Sequence, residues 1–228
     1  MIKAVIFDMF ETLITHFHGN RAIYFGTQIA EDAGISVEEF IPAWRASEPD
    51  RTRGFTTVEQ VVKGLMEKHN CYSEETLHRI MDKRNSLART ALSSENLHSE
   101  IIPMLAALKE KGVKIGLISN CFSEEAEAIR ESVLMPYIDV ACLSCEVGMR
   151  KPDEEIYYYC VDKLQVDASE CLYVGDGGSH ELETAKKVGM TPVQAAWYLK
   201  EGTKQPVGRM EEFSPMDSPL DIMKYLGE

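Results

Sequence analysis

Lys3-Ala4-Val5-Ile6-Phe7-Asp8-Met9-Phe10-Glu11-Thr12-Leu13 is a short apolar run that stops at a carboxylate close to the N-terminus. An unbroken apolar stretch of this length reads as a parallel strand buried on both faces, and the acid closing it marks the strand's C-terminal edge. Open α/β sheets bind their ligands in the crevice beyond those edges. Asp8 is therefore the first candidate for chemistry.

Working outward, the expected class is α/β, a doubly wound parallel sheet with an inserted helical cap domain. From Ser99 onward helices and strands alternate. A helix through Ile102, Leu105 and Leu108 ends at Gly112, and the run Val113 to Ile118 follows as a strand ending in Ser119-Asn120. Then come a helix from Ser123 to about Val133, a strand from Ile138 to Leu143, a helix from Asp153 to Leu164 and a strand from Cys171 to Val174. A helix ending at Gly189 and a strand from Thr191 to Ala195 complete the pattern. The tail from Trp197, with Pro206, Pro215 and Pro219, reads as loop until a short helix near Asp221 to Leu226.

Residues from about 20 to 92 differ in character. Asn20, Ser36, Thr57 and Ser73 each precede an apolar pattern with helical spacing, as N-caps do, and strand patterns are missing. This is a helical unit inserted after the first strand. The expected division is 1–15 with 93–228 as the core domain and 16–92 as the cap.

The chain of 228 residues carries a formal net charge of -13, against nucleic acid or an anionic membrane surface as partner, since both reward a basic patch. The first apolar run is too short for a signal peptide and is broken by Asp8, and no later run approaches a membrane span, so a cytoplasmic protein is expected. The six cysteines are scattered through mostly apolar segments and read as buried free thiols; Cys142-Leu143-Ser144-Cys145 has CxxC spacing but neither a second pair nor histidines beside it.

Polar groups recur at the strand ends: Asp8 after the first, Ser119 and Asn120 after the second, and Gly175-Asp176-Gly177-Gly178-Ser179-His180-Glu181 after the fourth. Lys151 lies in the loop Gly148-Met149-Arg150-Lys151-Pro152-Asp153. Converging on one crevice, these groups suit Mg²⁺ and a phosphate. Asp8 and Asp176 offer the hard oxygens Mg²⁺ prefers, while Lys151 and the Ser119 hydroxyl can neutralise phosphoryl oxygens. Asp8 can also attack phosphorus to form an aspartyl-phosphate.

In order and spacing, Asp8-Met9-Phe10-Glu11-Thr12, Ser119-Asn120, Lys151-Pro152-Asp153 and Gly175-Asp176 through Glu181 resemble the four motifs of the haloacid dehalogenase (HAD) superfamily of hydrolases. The insert resembles the helical cap of its subfamily I. That resemblance implies a nucleophile and Mg²⁺ ligand at Asp8, a second ligand in the Phe10 main-chain carbonyl and a third in Asp176. It implies phosphoryl binding by Ser119, Asn120 and Lys151, with Lys151 also steadying the nucleophile, and a small phosphorylated metabolite as substrate.

Two departures bear on mechanism. Family phosphatases usually carry an Asp two residues after the nucleophile as general acid and base, and Phe10 stands there instead. Glu181 stands where the last acid of the fourth motif is more often Asp, and it can meet metal directly or through water. His16 and His18 are near enough in sequence to stand in for the missing acid, although solvated hinge histidines are the plainer reading. Arg21, Tyr24, Arg45, Arg51 and Arg53 are the insert's candidates for a substrate anion. The leading expectation is a Mg²⁺-dependent phosphatase. Carbon–halogen hydrolysis, in which an aromatic residue at the Phe10 position is usual, and a HAD-like binding module are the alternatives.

Overall fold

A computed structural model describes residues 1–15, 26–199 and 207–227. His16, His18, Asn20, Arg21 and Tyr24 lie outside the described residues. Five strands form one parallel sheet: β1 (Ala4–Phe7), β2 (Lys114–Ser119), β3 (Val140–Leu143), β4 (Cys171–Gly175) and β5 (Thr191–Gln194), in the order β3-β2-β1-β4-β5. The apolar run at the N-terminus thus becomes the central strand. Phe7 pairs with Leu117 on one side and Val174 on the other. The Asp8 N–H extends the ladder by donating to the Val174 carbonyl at 2.9 Å.

Between β1 and β2 lie α1 (Gly26–Ala33), α2 (Val37–Ala46), α3 (Glu48–Thr52), α4 (Val58–Lys68) and α5 (Glu74–Ala91). Ser36, Thr57 and Ser73 cap α2, α4 and α5 through their hydroxyls, and Gln60 closes a capping box on Thr57. After the insert come α6 (Ile101–Glu110), α7 (Ser123–Glu131), α8 (Ser144–Val147), α9 (Glu154–Leu164) and α10 (Glu181–Lys187). Some boundaries and one helix type depart from the sequence reading; β3 begins at Val140 rather than Ile138. The helix expected to reach Val133 stops at Glu131 because Ser132 is extended, and the final helix is a 3₁₀ stretch, Pro219–Tyr225. The short α3 and α8 were not expected, being too brief to establish a period.

Alternation along the buried strands feeds two separate cores. Val5, Phe7, Leu117, Leu172 and Val174 pack on α6 and α7. Ala4, Ile6, Ile118 and Tyr173 face α9 and α10 through Ile156, Cys160, Leu182 and Ala185. Each fully buried Ile, Leu or Val contributes about 1.5–3 kcal/mol. The insert has its own apolar cluster around Ile29, Phe40, Val62, Met66 and Ile80, and Phe122 of the core packs against it.

Ion pairs cross the same seam, joining Arg84 to Glu124, Arg53 to Asp153 at 2.6 Å and Arg150 to Glu48 at 3.0 Å. The helical insert therefore overhangs the C-terminal edge of the sheet, where the polar strand ends lie. Among the described residues no helix is long and apolar enough to cross a membrane.

Candidate active site

A cavity of about 160 Å³ at that edge is lined by Asp8, Phe10, Glu11, Asn120, Lys151, Asp176, Gly178, Ser179 and Glu181. Its centre is a buried ionic knot. Lys151 Nζ donates to Asp8 Oδ1 and to Glu181 Oε2, each at 2.5 Å. All three side chains are nearly shielded from water.

Glu181 is held from three directions. Besides Lys151, its Oε2 accepts the Tyr173 hydroxyl at 2.8 Å, and its Oε1 accepts the Gly177 N–H at 3.1 Å. Room for that carboxylate comes from Gly175, where a Cβ would lie 2.1 Å from Glu181 Oε1. Asp176, half-buried, accepts the Gly178 N–H at 2.8 Å. Its own carbonyl accepts from Gln194 Nε2 at 2.9 Å. Ser179 and His180 both take left-handed backbone angles, φ 55° and 52°, a conformation uncommon outside glycine that recurs at functional turns.

Lys151 is also fixed through its main chain. Asn120 Nδ2 donates to the Lys151 carbonyl at 2.9 Å and Asn120 Oδ1 accepts the Lys151 N–H at 2.8 Å. Asn120, expected to touch substrate, thus clamps the lysine loop and also lines the cavity. Ser119 ends β2 with its hydroxyl buried and, among the described residues, lacking a hydrogen-bond partner. Such a group costs about 1–3 kcal/mol unless something pairs with it.

The loop after Asp8 doubles back tightly. Leu13 and Ile14 N–H groups donate to the Met9 carbonyl, and Glu11 N–H donates to the Ile14 carbonyl. Glu11 sits at φ 59°, with the Thr15 hydroxyl 3.3 Å from its carboxylate. Trp197 Nε1 donates to the Thr12 carbonyl at 2.9 Å and the Tyr198 hydroxyl to the Leu13 carbonyl at 3.3 Å, so the chain after β5 pins this loop.

Asp8, Asp176 and Glu181 bring carboxylate oxygens within 4.8 Å of one another. At an effective dielectric near 20, two such charges repel by about 3.5 kcal/mol or more. One ammonium cannot balance three carboxylates. Burial, then Glu181, pushes Asp8 up to about 7 against the pull of Lys151. Burial, Glu181 and Asp8 together push Asp176 up to about 8. For Lys151, burial disfavours the ammonium, but Asp8 and Glu181 outweigh it and hold the group above the ordinary lysine range. The donor set, all oxygen and short of positive charge, fits a hard divalent cation.

A family model described as haloacid dehalogenase-like hydrolase matches residues 2–189, taking in β1 to β4, the helical insert and the site. The chain belongs to the haloacid dehalogenase-like hydrolases. A glyceraldehyde 3-phosphate phosphatase of Methanopyrus kandleri is 25% identical over 205 residues, 85% of this chain and 84% of that protein. A 2-haloacid dehalogenase structure from Pseudomonas syringae superposes with a TM-score of 0.68 at 20% identity, covering 99% of this chain and 98% of that one. A HAD family enzyme from Bacteroides thetaiotaomicron, in complex with magnesium and inorganic phosphate, superposes with a TM-score of 0.60 at 16% identity over 89% and 98% of the two chains. At such identities the structures share the HAD fold.

In this HAD-like hydrolase the insert's arginines divide by environment. Arg45 is exposed, and Arg53 is paired with Asp153. Arg51 is buried between Trp44 and Phe122, its guanidinium 3.6 Å and 4.6 Å from the two rings, and its Nη1 lacks a partner among the described residues. Burial and Arg84 lower it to about 10. Sequence reasoning missed Tyr173, Gln194, Trp197 and Tyr198. Gln194 left the one usable signal, an amide at the C-terminal end of β5.

Proposed function

We propose that this hydrolase is a Mg²⁺-dependent phosphatase of a small phosphorylated metabolite that works through an aspartyl-phosphate on Asp8. The observation that carries the reading is Asp8, with Oδ1 fixed by Lys151 at 2.5 Å, standing in one acidic cluster with Asp176. The Asp8 carboxylate, the Phe10 carbonyl and Asp176 would hold the metal. Bound Mg²⁺ would supply Lewis-acid polarisation of the phosphoryl group. The glyceraldehyde 3-phosphate phosphatase relative supports the substrate class.

The chain's own residues account for the rest. Asp8 attacks phosphorus, the ester P–O bond breaks, and water later cleaves the acyl phosphate. Lys151, held protonated, and the unpaired Ser119 hydroxyl stabilise the phosphoryl oxygens as charge develops. Asn120 acts through its clamp on Lys151. Phe10 has no proton to give a leaving alkoxide, whereas Glu11, an acid, lines the same cavity and is our candidate for that task. Arg51, with its unpartnered Nη1 beside Phe122, is the candidate for a second anionic group on the substrate. We assign residues 16–92 to the cap, 1–15 and 93–228 to the core, and a cytoplasmic location.

Purified protein should release phosphate from an aryl phosphate only with Mg²⁺, and Asp8→Asn should abolish release. A metal-independent rate or an active Asp8→Asn protein would sink the reading. Asp176, beside Asp8, weighs against carbon–halogen hydrolysis, which makes no use of a metal site. Halide release from a 2-haloacid in the presence of chelator would restore that alternative.

A further inference from the structure

Two thiols meet just beyond the ends of β2 and β3, beside Asn120. Cys121 Sγ and Cys145 Sγ lie 3.9 Å apart, closer to each other than chain separation alone would bring them. The sheet explains it: Ser119 pairs with Leu143 across β2 and β3, so Cys121 and Cys145 each stand two residues beyond a paired position on neighbouring strands. Adjacent strands run about 4.8 Å apart, within the separation a disulfide spans. All six cysteines are free thiols, and Cys142 of the CxxC turns to the opposite face of the sheet, into the cluster around Cys160. Within that CxxC, then, Cys145 faces Cys121 and not Cys142.

Access is one-sided. Cys121 is buried, whereas Cys145 is partly exposed and lines a groove of about 430 Å³ with Ser123, Ala126, Arg130 and Glu146. The contact splits the pair chemically: hydrogen bonding from Cys121 lowers the Cys145 thiol, while the same contact and burial raise Cys121. A partly exposed thiol whose ionisation is favoured, with a resolving thiol behind it, is the arrangement of a peroxide-sensitive cysteine pair.

We propose that Cys121 and Cys145 are a redox modification site, closed to a disulfide by a hydroperoxide and reopened by a dithiol, and that closure disables the adjoining active site. The Cys145 thiolate attacks one peroxide oxygen, the O–O bond breaks, and the other oxygen leaves as hydroxide or alkoxide, giving a sulfenic acid. Cys121 sulfur then attacks Cys145 sulfur, the S–O bond breaks, and water leaves with the Cys121 proton. Two thiols and one hydroperoxide become one disulfide, one alcohol (or water) and one water.

The coupling to the site is short. Cys121 directly follows Asn120, whose amide clamps Lys151 by two hydrogen bonds, and the Cys121 N–H donates to Ser144 Oγ at 3.0 Å. Gly54 of the cap packs against the Cys145 carbonyl so closely that a Cβ there would lie 1.9 Å from the oxygen. On this proposal, drawing the sulfurs from 3.9 Å to a bond near ~2 Å turns both side chains and strains the Asn120 loop and the cap seam to which they are joined. A misplacement of about 1 Å in a catalytic constellation lowers rate by about 10²-fold.

The loss of activity rests on the phosphatase reading; the disulfide itself does not. The test treats full-length protein with hydrogen peroxide, blocks free thiols, and maps tryptic peptides. Cleavage yields 115–130, carrying Cys121, and 131–150, carrying Cys142 and Cys145. Wild type should show these two peptides joined with loss of two hydrogens. Cys142→Ser should retain the link, and Cys145→Ser and Cys145→Ala should lose it. Aryl phosphatase activity of oxidised wild type should fall by about 10²-fold and return with dithiothreitol, while both Cys145 variants keep their activity through peroxide.

Absence of the link, a link that survives in the Cys145 variants, or a linked protein with full activity would each overturn the proposal. Reduced protein that releases no phosphate from any substrate would instead overturn the phosphatase reading, and the peptide link would still decide the redox pair.

Discussion

Lowering the pH should drive protons onto Asp8 and Asp176 and release Mg²⁺. Both carboxyls are pushed well above the ordinary aspartate range by burial and by Glu181, Asp8 to about 7 and Asp176 to about 8. A metal ligand must be deprotonated to bind. Titrating separately, the two acids would both be bare in about one molecule per thousand at pH 6 and in about nine of ten at pH 9, so apparent Mg²⁺ affinity should fall by about 10³-fold across that interval.

Calorimetry in two buffers of different protonation enthalpy reads this directly. About two protons should leave per Mg²⁺ bound near pH 6, and almost none near pH 9. The sign for stability is fixed by the same shifts. A carboxyl whose folded pKa is raised stabilises the fold below its unfolded value near 3.8 and loses that contribution as pH rises through about 7 to 8. Metal-free protein should therefore melt at lower temperature at pH 8.5 than at pH 5, and Mg²⁺ should restore the difference. Equal Mg²⁺ affinity at both ends of the titration with no proton release would refute the acidic knot as a metal site.

Glu11→Gln should lower the hydrolysis of alkyl phosphates by about 10²- to 10⁴-fold while sparing activated aryl phosphates, as expected of a lost general acid, and equal losses on both substrates in steady-state assays would remove Glu11 from that role. Gly175→Ala places a Cβ 2.1 Å from Glu181 Oε1, so it should cost about 1–3 kcal/mol in denaturant unfolding and displace Glu181 from Lys151, cutting kcat with the fold retained; wild-type kcat would contradict the tight fit at Gly175.

Much of the architecture was legible because it is local. Apolar runs of strand length, caps at Ser36, Thr57 and Ser73, and glycines after helices leave short-range patterns, and the sheet order follows once β1 is central. Asp8, Ser119 and Asp176 stood out because each polar group closes an apolar run. What stayed hidden depends on pairing between residues remote in the chain. Nothing near Asn120 reveals that its amide spans to Lys151, nor near Trp197 that its indole holds the Thr12 carbonyl. Glu181 reads as an ordinary first-turn acid, although the fold buries it against Lys151 and Tyr173 in one cluster with Asp8 and Asp176. The Cys121–Cys145 contact is hidden in the same way, since it depends on the register of β2 with β3.

The central claim is that Asp8 becomes phosphorylated during turnover. Acid quenching of the protein with Mg²⁺ and an aryl phosphate, followed by mass analysis of the tryptic peptide spanning residues 4–21, which contains Asp8, tests it most directly. The expected peptide is heavier by one phosphoryl group, on Asp8, present only with Mg²⁺ and missing from Asp8→Asn. Phosphate release at the full rate with no acyl phosphate at any quench time, or the added mass on another residue, would contradict it.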